Sequence, residues 1–115
     1  MSRVCAKSIL LIALIVLVLR AVAGDFQAVN GTDKHWRPHG AHLALSEALH
    51  IAEAEALKNE IKFANFMPPR FEYTHEKEQG YVWVFFYQAN VPAPGRDFMV
   101  VVNDRTQHAT FEASK

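Results

Sequence analysis

The sequence predicts an α+β fold: one helix packed on a curled antiparallel sheet of three to four strands, in α-β-β-β order, after an N-terminal signal peptide. Three observations predict it. Apolar residues recur at three-and-four spacing over residues 41–61, the period of a helix with one buried face. After Pro68-Pro69 the period changes to two, the signature of half-buried strands. The strand segments are joined by short connections, which favour antiparallel neighbours, and a helix laid across such a sheet buries the apolar side of both.

The chain opens with Arg3 and Lys7, an apolar run at 8–19, then Arg20 and the small residues Ala21-Val22-Ala23. A basic head, an apolar stretch of about a dozen residues and an A-x-A site are the three parts of a secretory signal. Cleavage is expected after Ala23. A membrane-spanning helix needs about 20 apolar residues, so the length favours a cleaved leader over a retained anchor. Cys5, the one cysteine of the chain, lies ahead of the apolar run, the wrong side for a lipoprotein. Residues 24–40 (GDFQAVNGTDKHWRPHG) are polar and punctuated by Gly, Asn and Pro, and read as a loosely ordered arm. Residues 41–115 then form one domain.

In the helix, Leu45, Ala48, Leu49, Ala52 and Ala56 make the apolar stripe, and Ile51, Leu57 and Ile61 widen it. Glu47, His50, Glu53 and Lys58 fall on the other side. Ser46 is a candidate cap, and the helix is expected to end near Lys62, ahead of the two prolines. Phe71 and Tyr73 alternate with Glu72 and Thr74 in a first strand, and 76–80 (EKEQG) is a turn. Residues 81–88 (YVWVFFYQ) are the strongest strand. Residues 90–96, with Pro92, Pro94 and Gly95, form a loop. Residues 98–102 (FMVVV) are a third strand, 103–106 a tight turn and 109–112 a short fourth strand.

The strand at 81–88 is apolar on both sides. Tyr81, Trp83, Phe85 and Tyr87 share one face; Val82, Val84 and Phe86 share the other. A single helix covers one face only. Two readings of the aromatic row therefore stand. Curling, the arm or a fourth strand covers it, or it meets a partner, as aromatic residues with polar tips do at protein interfaces.

Charge narrows the partner classes. Taking Arg3, Lys7 and Arg20 from the twelve basic residues leaves nine against twelve acidic ones, a net charge of −3 with neutral histidines. No Lys/Arg stripe of a nucleic-acid binder is present. With Cys5 gone alongside the leader, the exported domain has no disulfide, although its compartment would permit one.

His35, His39 and His42 are spaced H-x3-H-x2-H, and three imidazoles so close in sequence are candidate zinc or copper ligands if the arm folds back. Pro38 and Gly40 interrupt that geometry, and no cysteine completes the set. The bland alternative is a solvated His-rich lead-in. Glu47 and His50 form E-x-x-H, but the di-iron use of that spacing needs the motif on several helices, so they read as surface neighbours. Hydrolase machinery is not legible. Ser46 and Ser114 are the serines after the leader, and no nucleophile elbow, phosphate loop or dinucleotide fingerprint occurs. No cofactor is expected. Asn30-Gly31-Thr32 matches a glycosylation sequon.

Leu43-Ala44-Leu45-Ser46-Glu47-Ala48-Leu49-His50-Ile51-Ala52 resembles the helix opening of PepSY-type domains, and 98–111 (FMVVVNDRTQHATF) resembles their closing hairpin. The likeness spans about 43–112. Gln107 stands where that family usually has a turn glycine, and Ala44 where a capping Ser or Thr is common. Small cystatin-like immunity proteins are similar at this level. Either resemblance implies a non-catalytic domain that contacts another protein, often a hydrolase.

The resulting expectation is a non-catalytic, periplasmic or secreted protein-binding domain, an inhibitor or immunity protein. Its partner is another protein or a second copy of the chain, and no membrane span remains once the signal is removed. Its candidate partner-binding residues are Tyr81, Trp83, Phe85, Tyr87 and Arg96. A metal-handling protein using His35, His39 and His42 is one alternative, and a small enzyme with an unfamiliar site is another.

Overall fold

The helix is faced with alanine, which lets it lie close against a sheet faced with rings. It runs Leu45–Lys58 (α1) and buries Leu45, Ala48, Ala52 and Ala56. These are the strongest helix formers available, and their small side chains leave room beneath the helix for the large ones of the sheet. The computed structural model describes residues 26–91 and 96–113. The expected signal peptide, 1–23, and the prolines of the loop at 90–96 lie outside the described residues.

Five strands form one open antiparallel sheet: β1 (Gln27–Ala28), β2 (Arg70–Glu76), β3 (Gly80–Tyr87), β4 (Phe98–Asn103) and β5 (Ala109–Ala113), in spatial order β1-β2-β3-β4-β5. The α+β expectation is met, with one helix and an antiparallel sheet. Strand number and order are corrected: there are five strands, and the first precedes the helix. Register pairs Tyr73 with Trp83, Phe85 with Val100 and Val100 with Phe111. Because side chains alternate along a strand, these residues share the helix side. Val84 pairs with Glu72 and with Val101, which places them on the opposite side.

The arm at 24–40 is more ordered than its composition suggests. Its described part supplies β1, the buried Val29 and the carbonyls that cap α1. The amides of Leu45 and Ser46 donate to the carbonyls of Trp36 and Lys34, each at 2.8 Å. A helix N-terminus leaves such donors without partners inside the helix, and here the arm satisfies two of them. Ser46 is therefore not the cap. Ala44 holds that position, and its amide donates to the Glu47 carboxylate at 2.8 Å. Alanine has no side-chain acceptor, so this is half of a capping box. At the other end Glu60 takes a left-handed φ of 61° and turns the chain out of the helix earlier than expected. A 3-10 turn, Phe63–Asn65, follows. Among the described residues, no helix is long and apolar enough to cross a membrane.

The hairpin turns are held by side chains. The Glu76 carboxylate accepts from the amides of Glu78 and Gln79 at 3.1 and 2.6 Å between β2 and β3. The Asn103 side chain accepts from the amides of Arg105 and Thr106 between β4 and β5. Gln107 there has φ 65°, a conformation in which glycine is the usual residue.

Candidate functional site

The aromatic row does not form a surface. Trp83, Phe85 and Tyr87 lie in the core beneath α1 and the arm, while Tyr81 is 55% exposed. The expectation of a four-residue partner-binding face is corrected on that point, and the cause is local. The alanine face of α1 covers the sheet closely, and Trp36 from the arm closes the rest, its ring 6.0 Å from that of Trp83 and edge-on at 83°. Tyr81 projects past this cover. It stacks on Tyr73 at 5.3 Å, with His75 edge-on at 5.0 Å.

Asp104 is a residue whose role was not legible in the sequence. It is buried, and it gathers four donors: the amides of His42 (2.7 Å) and Leu43 (3.0 Å), the indole N–H of Trp83 (3.0 Å) and the Tyr73 hydroxyl (3.3 Å). Burial alone would raise its pKa. The His42 amide, the Trp83 indole, the Leu43 amide and the Tyr73 hydroxyl outweigh burial and hold the carboxyl below its usual range. In return, burial and then the Asp104 charge push the Tyr73 hydroxyl up to about 12. A carboxylate saturated in this way is an acceptor that fixes geometry. It ties the start of α1 to the β4–β5 turn. Asn103-Asp104 reads in sequence as turn chemistry, and only the fold shows what the second residue reaches.

The histidines do not assemble. His35, His39 and His42 are each exposed, and among the described residues no group of three His, Cys, Asp or Glu side chains is placed to hold a metal ion. The His35 amide donates to the Asp33 side chain at 2.9 Å, and the His42 amide donates to Asp104 at the other end of the motif. Glu47 faces Arg37 at 3.5 Å.

Arg96 and Tyr81 lie at opposite ends of the sheet. Arg96 precedes Phe98, which pairs with Tyr87, six residues along β3 from Tyr81 and therefore about 20 Å away. Arg96 lines a groove of about 280 Å³ with Glu60, Ile61, Lys62, Asn65, Phe66 and Ala89. Three links build its walls. Phe66 bridges Ala89, the Asn90 amide donates to the Asn65 carbonyl at 2.9 Å, and the Ala89 amide donates to the Asp97 side chain at 2.9 Å. The floor is fixed by Phe66, which packs edge-on against Phe98 at 5.0 Å and 84°. Lys62 and Arg96 form no ion pair among the described residues. Met67 and Val91 are exposed close by in the chain. The Arg96 expectation pointed to this end of the molecule; Glu60, Lys62 and Phe66 were missed because their segment reads in sequence as a connection.

No family model, no curated protein and no solved structure matches the chain.

Proposed function

We propose that the chain is a non-catalytic, exported protein-binding domain that holds an acidic segment of another protein in the groove beside Arg96, acting as an inhibitor or immunity protein against a hydrolase or toxin. One observation carries this reading: two cations without ion-pair partners among the described residues, Lys62 and Arg96, border a floor that includes Ile61 and Phe66. An apolar anchor with charge at the rim is the usual anatomy of a protein interface. Glu60 adds one carboxylate, so the rim accepts an acidic segment that also offers a donor. Export, periplasmic or secreted, rests on the leader-like composition of 1–23, and the inhibitor class rests on the resemblance to PepSY-type and cystatin-like domains. Both are part of the proposal.

The test uses tagged chain recovered from the exported fraction as bait, in the wild-type form and as Lys62→Glu/Arg96→Glu. The wild type should retain one protein in stoichiometric amount, with affinity at least about ten-fold above that of the double variant, while thermal unfolding of the two baits coincides. A partner held equally by both baits, or none held by the wild type, overturns the reading.

A further inference from the structure

The sheet is open, and its two edges differ. On one side β1 pairs with β2 at Arg70 and Phe71. On the other, β5 is the outermost of the described strands along its whole length. The Asn103 amide donates to the His108 carbonyl at 2.8 Å, which sets the phase of the β4–β5 ladder. Bonded and non-bonded pairs alternate along an antiparallel ladder. The peptide groups of Thr110 and Glu112 therefore turn towards β4, and those of Ala109, Phe111 and Ala113 turn outward. Among the described residues no backbone hydrogen bond is made to these outward groups.

Such an edge is a template for another strand. Natural sheets blunt it with proline, lysine or a bulge; β5 reads ATFEA and pairs regularly with β4 from Ala109 to Ala113. Its occupant is set by self-complementarity. The three outward residues are symmetrical about Phe111. Laid antiparallel on a copy of itself about that residue, β5 sets Phe111 against Phe111 and Ala109 against Ala113 as bonded pairs, which satisfies every outward group. Thr110 then lies opposite Glu112 of the copy in the non-bonded pairs, where side chains come closest, and a threonine hydroxyl donates to a carboxylate there. No like charges meet. The other edge lacks this property, since the same operation on β2 about Thr74 sets Glu72 against Glu76, a destabilising pair. The rings agree as well. Tyr87 lies over Phe98 at 4.6 Å and Phe98 over Phe111 at 5.1 Å, a row that ends at the half-buried Phe111 on the edge strand.

We propose that two copies of the chain pair antiparallel through β5 about Phe111 and join their sheets into one across a two-fold axis. A contact of this kind is isologous, each copy offering the same surface. It is independent of the groove reading, because no groove residue lies in β5.

The experiment follows the mass of the full chain by sedimentation over a concentration series, as wild type, Thr110→Glu, Thr110→Lys and Thr110→Glu/Glu112→Lys. The wild type should form a dimer. Thr110→Glu sets carboxylate against carboxylate twice about the axis and should weaken the dimer at least about ten-fold; Thr110→Lys should tighten it, and the double variant should regain what Thr110→Glu loses. A monomeric wild type, or a dimer indifferent to these changes, overturns the proposal. Should the variants fail to fold, amide hydrogen exchange in the wild type decides. The amides of Ala109, Phe111 and Ala113 should gain protection as concentration rises, and no such gain overturns the proposal.

Discussion

The two faces of the sheet are built from different materials. The helix side is made of rings in contact: Phe71 beside Trp83 at 6.0 Å, Trp83 over Phe85 at 6.3 Å and 8°, Tyr87 over Phe98 at 4.6 Å and 8°. The second side is made of Val82, Val84, Val101 and Met99, with Phe26 and Phe86 its one ring pair among the described residues. The helix side also carries the polar anchor, since the Trp83 indole donates to Asp104. Large rings over a helix of small residues fix one cover in one place. Branched aliphatic side chains offer area without such shape. The comparison teaches that the face with more aromatic surface is the one α1 covers, and that the plainer face packs as a separate cluster.

The strongest way to break this contrast is to truncate one residue on each side. Trp83→Ala should cost about 3–5 kcal/mol, the usual range for deleting a buried large aromatic. Val84→Ala should cost about 1.6 kcal/mol, at about 0.8 kcal/mol per buried carbon. Denaturant unfolding of the two variants beside the wild type measures both. A loss from Val84→Ala as large as that from Trp83→Ala would remove the contrast between the two faces.

A smaller effect sharpens the account of the helix side. Asp104→Asn replaces a charged acceptor of four hydrogen bonds, and should cost about 2–3 kcal/mol near neutral pH. The pKa of Asp104 is lowered in the folded chain, so the folded state binds fewer protons there than the unfolded one. The stabilisation is therefore complete above the unfolded carboxyl value, about 3.9, and is lost as pH falls through the folded value. The stability gap between wild type and Asp104→Asn should narrow below about pH 4, read from unfolding midpoints across an acid series. A gap that stays constant would remove the charge from the argument.

The smallest effect probes a flaw in the same face. The Tyr87 hydroxyl is buried and has no hydrogen-bond partner among the described residues. Burial, and then the charge of Glu53 on α1, push its pKa up, which keeps it neutral. Tyr87→Phe removes an unsatisfied polar atom and keeps the ring stack on Phe98. It should leave stability unchanged or raise it by up to about 1 kcal/mol. A clear loss in denaturant unfolding would show that the hydroxyl has a partner in solution.

Much of the fold is legible in the sequence because its signals are long. The alternation of Phe71 and Tyr73, the eight-residue run at 81–88 and the alanine-leucine period of α1 each span enough residues to show a period. β1 is two residues long and has none; its pairing of Gln27 with Phe71 is a tertiary fact. The cap of α1 is invisible for a similar reason, since carbonyls of Lys34 and Trp36 supply it in place of a side chain. That β3 is apolar on both faces is plain from the letters. Which face receives the helix is not, because Trp83 and Val84 are both good core residues and the choice is made by the volume left above Ala48 and Ala52. The groove was half legible: Arg96 stands out beside prolines and glycine, whereas Lys62 and Phe66 meet it only because Phe66 bridges Ala89.

The Asp104 anchor also says something about time. β2 and β3, and likewise β4 and β5, are joined by short turns, so each of these two pairings closes a small loop and can form early. The hydrogen bonds from His42 and Leu43 to Asp104 join residues 62 and 61 positions apart, and closing so long a loop carries a larger entropic cost. The hairpins can therefore assemble first and the start of α1 be latched to them last. A latch made after the rate-limiting step leaves folding speed untouched and sets how fast the domain opens. In a fold that assembles in that order, the carboxylate of Asp104 is less a foundation than a closing catch, and its removal would show in the opening rate.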